Sequence, residues 1–117
     1  MAKQKTVGDA VGELLVGRCG SHCFGVLGSS NFKVTHAMVA AGIDYVAARH
    51  EGNAITMADA YARVSGELTL VSLHAGPGLT NAVTGLTEAA KSRTPLVVFA
   101  GEPATGDLRS NFAVDQM

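Results

Sequence analysis

The chain has 117 residues, of which 47% are apolar and 16% are charged, with 14 glycines and a formal net charge of −1. This length bounds it to one compact domain, while the apolar content and balanced charge exclude intrinsic disorder and a basic nucleic-acid surface. Because glycines are abundant and the charged fraction is below the roughly 25% usual in soluble domains, we expect tight turns and a surface that something else covers.

The first half of the chain alternates between helical and strand periodicity. It is predicted to contain, in order, a helix over 6–18, a strand over 22–27, a helix over 32–41 and a strand over 43–48. The first helix begins with Thr6 and Asp9 as a capping pair, and the second ends at Gly42. The first helix presents one apolar face, formed by Val7, Val11, Leu14 and Leu15.

The second half continues this alternation. It is predicted to contain a helix over 52–64, a strand over 68–73, a helix over 79–91 and a strand over 96–100. Gly66 ends the first of these helices, Pro95 introduces the last strand, and Asp59 and Arg63 form an ion pair. The two helices bury apolar stripes, which are Ala54, Ile55, Ala58 and Ala62 in one and Leu79, Ala82, Val83, Leu86 and Ala90 in the other.

Four apolar strands that alternate with helices predict the fold class. Continuous apolar strands indicate a parallel sheet covered on both faces, which is the doubly wound, three-layer α/β/α class. Ligands of such sheets bind outside the carboxyl ends of the strands. Polar and glycine-rich turns follow all four strands, at 28–31, 49–53, 74–78 and 101–103. Glycine is common in any such turn, but four of them with a His-Glu pair among them favour a binding site.

The sequence has no signature of a membrane protein or a secreted protein. Apolar runs such as 96–100 are far shorter than the roughly 18 residues of a membrane span, and the N-terminus is polar. Cys19 and Cys23 are too close in sequence to staple a domain, so we expect a reducing compartment, the cytoplasm. The segment 19–23 offers at most three metal ligands, and ordinary burial of the cysteines is favoured over a metal site.

Glu51 is the most informative residue for chemistry. It lies where an apolar strand meets a helix of small residues, a position where a carboxyl group can exchange a proton with a ligand. The alternative is an acidic residue that the helix dipole favours in a first turn. His50 beside it is predicted to orient the carboxylate.

The segment Gly-Pro-Gly at 76–78 is the second candidate feature. Glycine has no side chain and proline stiffens a turn, so backbone can approach a flat ligand there. Asn81 directs its amide either at that ligand or at the loop itself. His74, at the end of the preceding strand, is placed for proton transfer, with a structural role as the alternative. No dinucleotide-binding or Walker phosphate loop occurs.

Several motifs in this order resemble the N-terminal, pyrimidine-binding domain of thiamine diphosphate-dependent enzymes, in the group of acetolactate synthase and benzoylformate decarboxylase. The resemblance covers residues 7–116. It is carried by Arg-His-Glu at 49–51, Ala-Asp-Ala-Tyr-Ala-Arg at 58–63, Gly-Pro-Gly at 76–78 with Asn81, and Pro-Leu-Val-Val at 95–98. Each motif is weak alone, but their order and spacing are specific.

The resemblance implies a thiamine diphosphate-dependent enzyme that acts on a 2-oxo acid, either as a carboligase or as a decarboxylase. It implies that Glu51 hydrogen-bonds N1′ of the aminopyrimidine ring and that His74 assists proton transfer. It also implies that the pyrimidine pocket is shaped by Gly76, Pro77, Gly78 and Asn81. The cofactor supplies the organic chemistry, and the protein supplies orientation and proton placement.

In this family a separate domain holds the diphosphate through Mg²⁺ with a Gly-Asp-Gly…Asn motif, which the 117 residues do not contain. The resemblance therefore implies that residues 1–117 are one domain, truncated at its C-terminus, of a longer enzyme. That enzyme is expected to be a homodimer or tetramer in which the diphosphate-binding domain of another subunit completes the site. The chain alone is expected to be inactive, and an additional FAD stays open.

The chain also departs from the family pattern. Residues 28–31 replace the usual Pro-Gly pair, Ala60 stands at a glycine position, and Ser92-Arg93 replaces the Asp-Ser of many acetolactate synthases. His74 resembles the decarboxylase, whereas 76–78 resembles the synthases, so the substrate is not assigned. The alternative function is a non-catalytic α/β module that binds a ligand or partner. A Gly-Asp-Gly…Asn domain downstream or on a partner chain distinguishes the two.

Overall fold

The computed structural model describes residues 4–102. The elements are α1 (Val7–Val16), β1 (His22–Gly25), α2 (Phe32–Ala40), β2 (Asp44–Ala47), α3 (Glu51–Ser65), β3 (Thr69–Leu73), α4 (Pro77–Lys91) and β4 (Leu96–Ala100). All predicted elements therefore occur in the predicted order. Pro103 of the fourth turn, the end of the resemblance and the expected truncation lie outside the described residues. Within 4–102, no helix has the length and apolar character of a membrane span.

The four strands form one parallel sheet in the order β2-β1-β3-β4. The central strand β3 is buried along its whole length, whereas β2 at the edge is partly exposed. From β1 the chain moves outward to β2 and then returns past β1 to β3. The topological switch point therefore lies between β1 and β3, which is where ligands bind in this class of sheet.

Helices cover both faces of the sheet, and this confirms the doubly wound, three-layer α/β/α class. One core, between the sheet and the α1–α2 layer, contains Cys23, Val34, Met38, Ile43 and Leu70. The other, under α3 and α4, contains Phe24, Ile55, Ala58, Val71, Leu73 and Ala82. Because both faces are packed in the described part of the chain, the ends of the strands are where a ligand can approach the sheet.

Local signals determine most helix ends. Asp9 accepts a hydrogen bond from the amide of Thr6 at 2.9 Å and its own amide donates to the Thr6 hydroxyl at 3.2 Å, which confirms the capping pair. Gly66 ends α3 in the left-handed region, at φ 74°. The helix α4 begins at Pro77, two residues before the predicted start, because proline has a helical φ and needs no N–H partner in a first turn.

The predicted apolar face of α1 is wrong in part. Val7 and Leu14 are 82% and 55% exposed, while Val11 and Leu15 pack against the core. The helix meets α2 at Gly12, where a Cβ would lie 2.6 Å from the Cβ of Ala37. This close approach turns the helix so that half of the predicted face points outward.

The predicted stripe of α4 is also wrong in part, although the α3 stripe is buried as predicted. Leu79 and Val83 are 40% and 50% exposed, and Ala89 is buried instead of Ala90. The reason is that α4 packs on α3 through small residues, and a Cβ at Gly85 would overlap Ile55. The larger side chains beside this contact therefore face away. The predicted ion pair is confirmed, with Arg63 Nη2 at 2.8 Å from Asp59 Oδ2.

Candidate functional site

The carboxyl ends of the strands bring three predicted turns together around the first turn of α4. A Cβ at Gly78 would lie 3.1 Å from the Cβ of His74 and 3.3 Å from Oε1 of Glu51. A Cβ at Gly28, after β1, would lie 2.5 Å from Nδ1 of His74. Side chains that follow β2 and β3 therefore flank one glycine, at the edge where the fold class predicts a ligand. We refer to Ser30, Glu51, His74, Gly78 and Asn81 as the Glu51 site.

Glu51 is the first residue of α3, and its side chain turns inward, with 9% of the residue exposed. Its Oε2 accepts a hydrogen bond from Nδ2 of Asn81 at 3.1 Å. The field at a helix N-terminus favours a carboxylate here. His50 does not orient it, contrary to the prediction, because Nδ1 of His50 accepts from the amide of Gly52 at 3.0 Å and so caps the helix.

The Gly-Pro-Gly segment forms the beginning of α4 instead of a free loop. Gly76 has φ 60° and ψ −106°, a conformation that residues with a Cβ rarely adopt, and Pro77 occupies the first helical position. Gly78 is buried and leaves space beside Oε1 of Glu51. The amide of Asn81 donates to Oε2 of Glu51, a contact that the sequence did not predict.

His74 packs its ring against Gly28 and meets the turn after β1. Its Nδ1 lies 2.7 Å from Oγ of Ser30, and that oxygen accepts a hydrogen bond from the amide of Ala75 at 2.8 Å. In the sequence, Ser30 is only one member of the turn 28–31, and its contact with His74 is not predicted. The order of the strands could have indicated this contact, because a hydroxyl after β1 faces the residues after β3 across the switch point.

A second set of polar side chains lies behind this site, which we call the Asn31 cluster (Asn31, Thr35 and Ser72). Asn31 is fully buried; its Oδ1 accepts from the amide of Gly28 at 2.8 Å and its Nδ2 donates to Val26 O and Ser72 Oγ, each at 3.0 Å. Ser72 Oγ also bonds Thr35 Oγ1 at 2.8 Å. The cluster joins the turn after β1 to β3, and sequence patterns did not predict it.

The two cysteines belong to the packing under α1 and α2. Cys23 is fully buried and Cys19 packs beside it, and both thiols are free. Burial raises the pKa of Cys19, and it raises that of Cys23 to about 12. In the described part of the chain, no three His, Cys, Asp or Glu side chains are grouped so that they could hold a metal ion.

The chain is similar to known proteins over almost its whole length. The family model described as "Thiamine pyrophosphate enzyme, N-terminal TPP binding domain" matches residues 5–117. The acetolactate synthase isozyme 3 large subunit of Escherichia coli (strain K12) is 43% identical over 83 residues, which are 70% of this chain and 14% of that protein. Sulfoacetaldehyde acetyltransferase of Alcaligenes xylosoxydans xylosoxydans is 37% identical over 100 residues, which are 86% of this chain and 17% of that protein.

The solved structures include a similar fold. The thiamine diphosphate-dependent 4-hydroxybenzoylformate decarboxylase of Rhodococcus jostii RHA1 superposes with a TM-score of 0.77 at 36% identity, covering 88% of this chain and 20% of that chain. The chain thus spans about one sixth of the length of the curated relatives it matches. The family match confirms the resemblance predicted from the motifs.

Proposed function

The chain belongs to the family of thiamine pyrophosphate enzymes, as their N-terminal TPP binding domain, and from this we propose that residues 1–117 are the pyrimidine-binding domain of a longer enzyme acting on 2-oxo acids. The relatives are named as a synthase, an acetyltransferase and a decarboxylase. We therefore propose a carboligase or a decarboxylase. The observation that carries this proposal is the inward carboxylate of Glu51 beside Gly78.

The residues of the Glu51 site fit an aminopyrimidine ring. A flat ring needs backbone that is free of side chains, which Gly76 and Gly78 provide at the start of α4. It also needs a group that can share a proton with a ring nitrogen, and a carboxyl group can do so. Oε2 of Glu51 is already held by Asn81, and Oε1 lies on the side of Gly78. Oε1 is thus the oxygen we assign to N1′ of the pyrimidine.

When bound, thiamine diphosphate supplies the carbon nucleophile for reactions at the carbonyl carbon of a 2-oxo acid. Glu51 holds the proton that Oε1 shares with N1′. Its burial excludes water, which strengthens this hydrogen bond. Asn81 keeps the carboxylate in place through Oε2, and His74, which also lies beside Gly78, assists proton transfer at the substrate.

A domain outside this chain, on another subunit, is proposed to hold the diphosphate and its Mg²⁺ and to cover the site in a homodimer or tetramer. The exposed Leu79 and Val83 support such a cover, because α4 begins at the site and carries these apolar side chains outward. The chain alone is then expected to show no turnover. The free thiols of Cys19 and Cys23 support a cytoplasmic enzyme.

Glu51→Gln in the full-length enzyme tests the proposal. A glutamine can hydrogen-bond but cannot exchange a proton, so we expect turnover of pyruvate and of benzoylformate to fall by at least about 100-fold. The Kd for thiamine diphosphate, measured by calorimetry with Mg²⁺, should rise by less than about tenfold, or about 1.4 kcal/mol.

Glu67→Gln is the matched control, because Glu67 is also partly buried and accepts hydrogen bonds from Ser21 and Tyr61 at the opposite ends of the strands. Its turnover should stay within about twofold of the parent enzyme. Near-normal turnover of the Glu51→Gln enzyme would remove the assignment of Glu51. Binding of thiamine diphosphate by a parent protein that converts no 2-oxo acid would favour the non-catalytic binding module.

A further inference from the structure

The hydroxyl of Ser30 connects two turns across the switch point of the sheet. Its Oγ lies 2.7 Å from Nδ1 of His74 and 2.8 Å from the amide nitrogen of Ala75. Backbone encloses it on another side, since a Cβ at Gly101 would lie only 2.7 Å from the same oxygen. The hydroxyl is therefore held within a narrow space between the end of β1 and the end of β3.

The hydrogen bonds of this hydroxyl bear on which ring nitrogen of neutral His74 carries the hydrogen. A serine hydroxyl has one hydrogen and two lone pairs. The amide of Ala75 can only donate, so it occupies one lone pair. Within residues 4–102, the hydroxyl hydrogen has no acceptor other than Nδ1 of His74. The hydroxyl can donate to Nδ1, which places the hydrogen of neutral His74 at Nε2, or its second lone pair can accept from Nδ1–H; only the first arrangement gives the hydroxyl hydrogen a partner among these residues.

We propose that Ser30 is a positioning residue that holds neutral His74 in the Nε2–H tautomer and presents Nε2 as a hydrogen-bond donor. The ring sits against Gly28 with Nδ1, Cγ and Cε1, so Nε2 lies on the side away from that glycine. Within the described residues, Nε2 has no partner. The group it suits is an acceptor oxygen, such as the carbonyl or carboxylate oxygen of a 2-oxo acid. Only the assignment of a 2-oxo acid as the acceptor rests on the proposed function.

The chain contains a natural control for this contact. Nδ1 of His22 lies 2.8 Å from Oγ of Ser21, a pair of the same chemistry. Ser21 Oγ, however, also lies 3.3 Å from Oε2 of Glu67, to which it donates. Because its hydrogen goes to Glu67, Ser21 Oγ can only accept from Nδ1–H of His22, so this pair favours the opposite tautomer, Nδ1–H.

The tautomer is measured by long-range ¹H–¹⁵N NMR of the imidazoles in the 117-residue chain at about pH 9, where an ordinary imidazole is neutral. In the parent chain, His74 is expected to be the Nε2–H form. In Ser30→Ala, the ratio of Nε2–H to Nδ1–H should fall by roughly tenfold, which corresponds to one ordinary hydrogen bond. The amide of Ala75 should exchange faster with solvent. Ser21→Ala should leave the tautomer ratio of His74 and the exchange rate of the Ala75 amide unchanged.

An Nδ1–H tautomer in the parent chain would overturn the proposal, and so would an unchanged ratio in a folded Ser30→Ala chain. If Ser30→Ala does not fold, the parent tautomer decides, together with Gly28→Ala. A Cβ at Gly28 would displace the ring from Ser30 and should reproduce the change in ratio.

A second arm uses the full-length enzyme, and it separates this proposal from the proposed function. Ser30→Ala should lower kcat by roughly tenfold and leave the Kd for thiamine diphosphate within about twofold. An unchanged kcat in an enzyme that Glu51→Gln inactivates would overturn the role of Ser30 and leave the proposed function intact. If the protein has no turnover at all, the NMR result still decides the tautomer. Only the proposed hydrogen bond from Nε2 of His74 to a 2-oxo acid is then contradicted.

Discussion

The Asn31 cluster and the Glu51 site are two polar groups of residues at the same ends of the strands, but their hydrogen bonds differ. In the Asn31 cluster, the amide of Asn31 and the hydroxyls of Thr35 and Ser72 all bond within the chain. In the Glu51 site, Oε1 of Glu51 and Nε2 of His74 have no partner within residues 4–102. One cluster is complete without a ligand, and the other leaves one atom of each titratable group available.

This difference indicates that the Asn31 cluster contributes to stability and the Glu51 site to function. A buried polar cluster whose atoms are all bonded holds the turn after β1 against β3 and contributes to folding. A buried carboxylate with one bonded oxygen is costly to fold, and proteins retain such groups where chemistry needs them. We therefore expect changes in the Asn31 cluster to affect mainly the free energy of unfolding, and changes in the Glu51 site to affect mainly binding and turnover.

The largest stability effect is expected for Asn31→Ala. It removes three hydrogen bonds and leaves buried partners on Gly28, Val26 and Ser72, so the free energy of unfolding should fall by about 3 kcal/mol. Urea denaturation of the 117-residue chain measures this. Asn53→Ala, at an exposed position of α3, should change it by less than about 0.5 kcal/mol. Similar losses in both variants would mean that the cluster does not hold the fold.

Cys23 extends the comparison, because it is a buried titratable group that lies in the core and outside the Glu51 site. Burial raises its pKa from 9.0 to about 12, so above pH 9 the unfolded chain loses a proton that the folded chain keeps. This contribution to stability is fully present well below pH 9, and it should fall by roughly 1 kcal/mol between pH 9 and pH 10. Urea denaturation across this range measures the slope. Cys23→Ala should flatten the slope, Cys19→Ala should keep most of it, and an equal slope in Cys23→Ala would contradict the assignment.

Asn81→Ala breaks the hydrogen bond that holds the carboxylate of Glu51 within residues 4–102. Oε2 of Glu51 loses its donor, so the affinity of the full-length enzyme for thiamine diphosphate should fall five- to tenfold, or about 1 kcal/mol. Calorimetry with Mg²⁺ gives the Kd. Thr87→Ala, on an exposed turn of the same helix, should bind as the parent does. An unchanged Kd in Asn81→Ala would show that the contact does not position the cofactor.

The smallest expected change is the effect of Glu51→Gln on stability. The substitution loses a favourable charge at the start of α3 but removes the cost of burying that charge, so the free energy of unfolding should change by less than about 0.5 kcal/mol. Urea denaturation of the same chain used for Asn31→Ala measures it. A loss as large as that of Asn31→Ala would mean that Glu51 is part of the folding framework, and the contrast between the two clusters would fail.

The fold and part of the site could be predicted because their signals are local. Continuous apolar runs indicated the parallel sheet, and its strand ends must share an edge, which placed Glu51 near the Gly-Pro-Gly segment. The faces of α1 and α4 were partly wrong because the approach of two helices depends on where Gly12 and Gly85 meet their partners. Neither contact is visible in the periodicity of a single helix.

The order of elements and the helix caps at Thr6 and Gly66 were encoded locally, because they depend on neighbours within a few residues. Three-dimensional packing was needed to pair Ser30 with His74 and Asn31 with Ser72, since these partners are 44 and 41 residues apart. The return of the chain past β1 brings them together. Every polar side chain of the Asn31 cluster then finds a hydrogen-bond partner within the chain. Within the described residues, Oε1 of Glu51 and Nε2 of His74 have no partner and can meet a ligand.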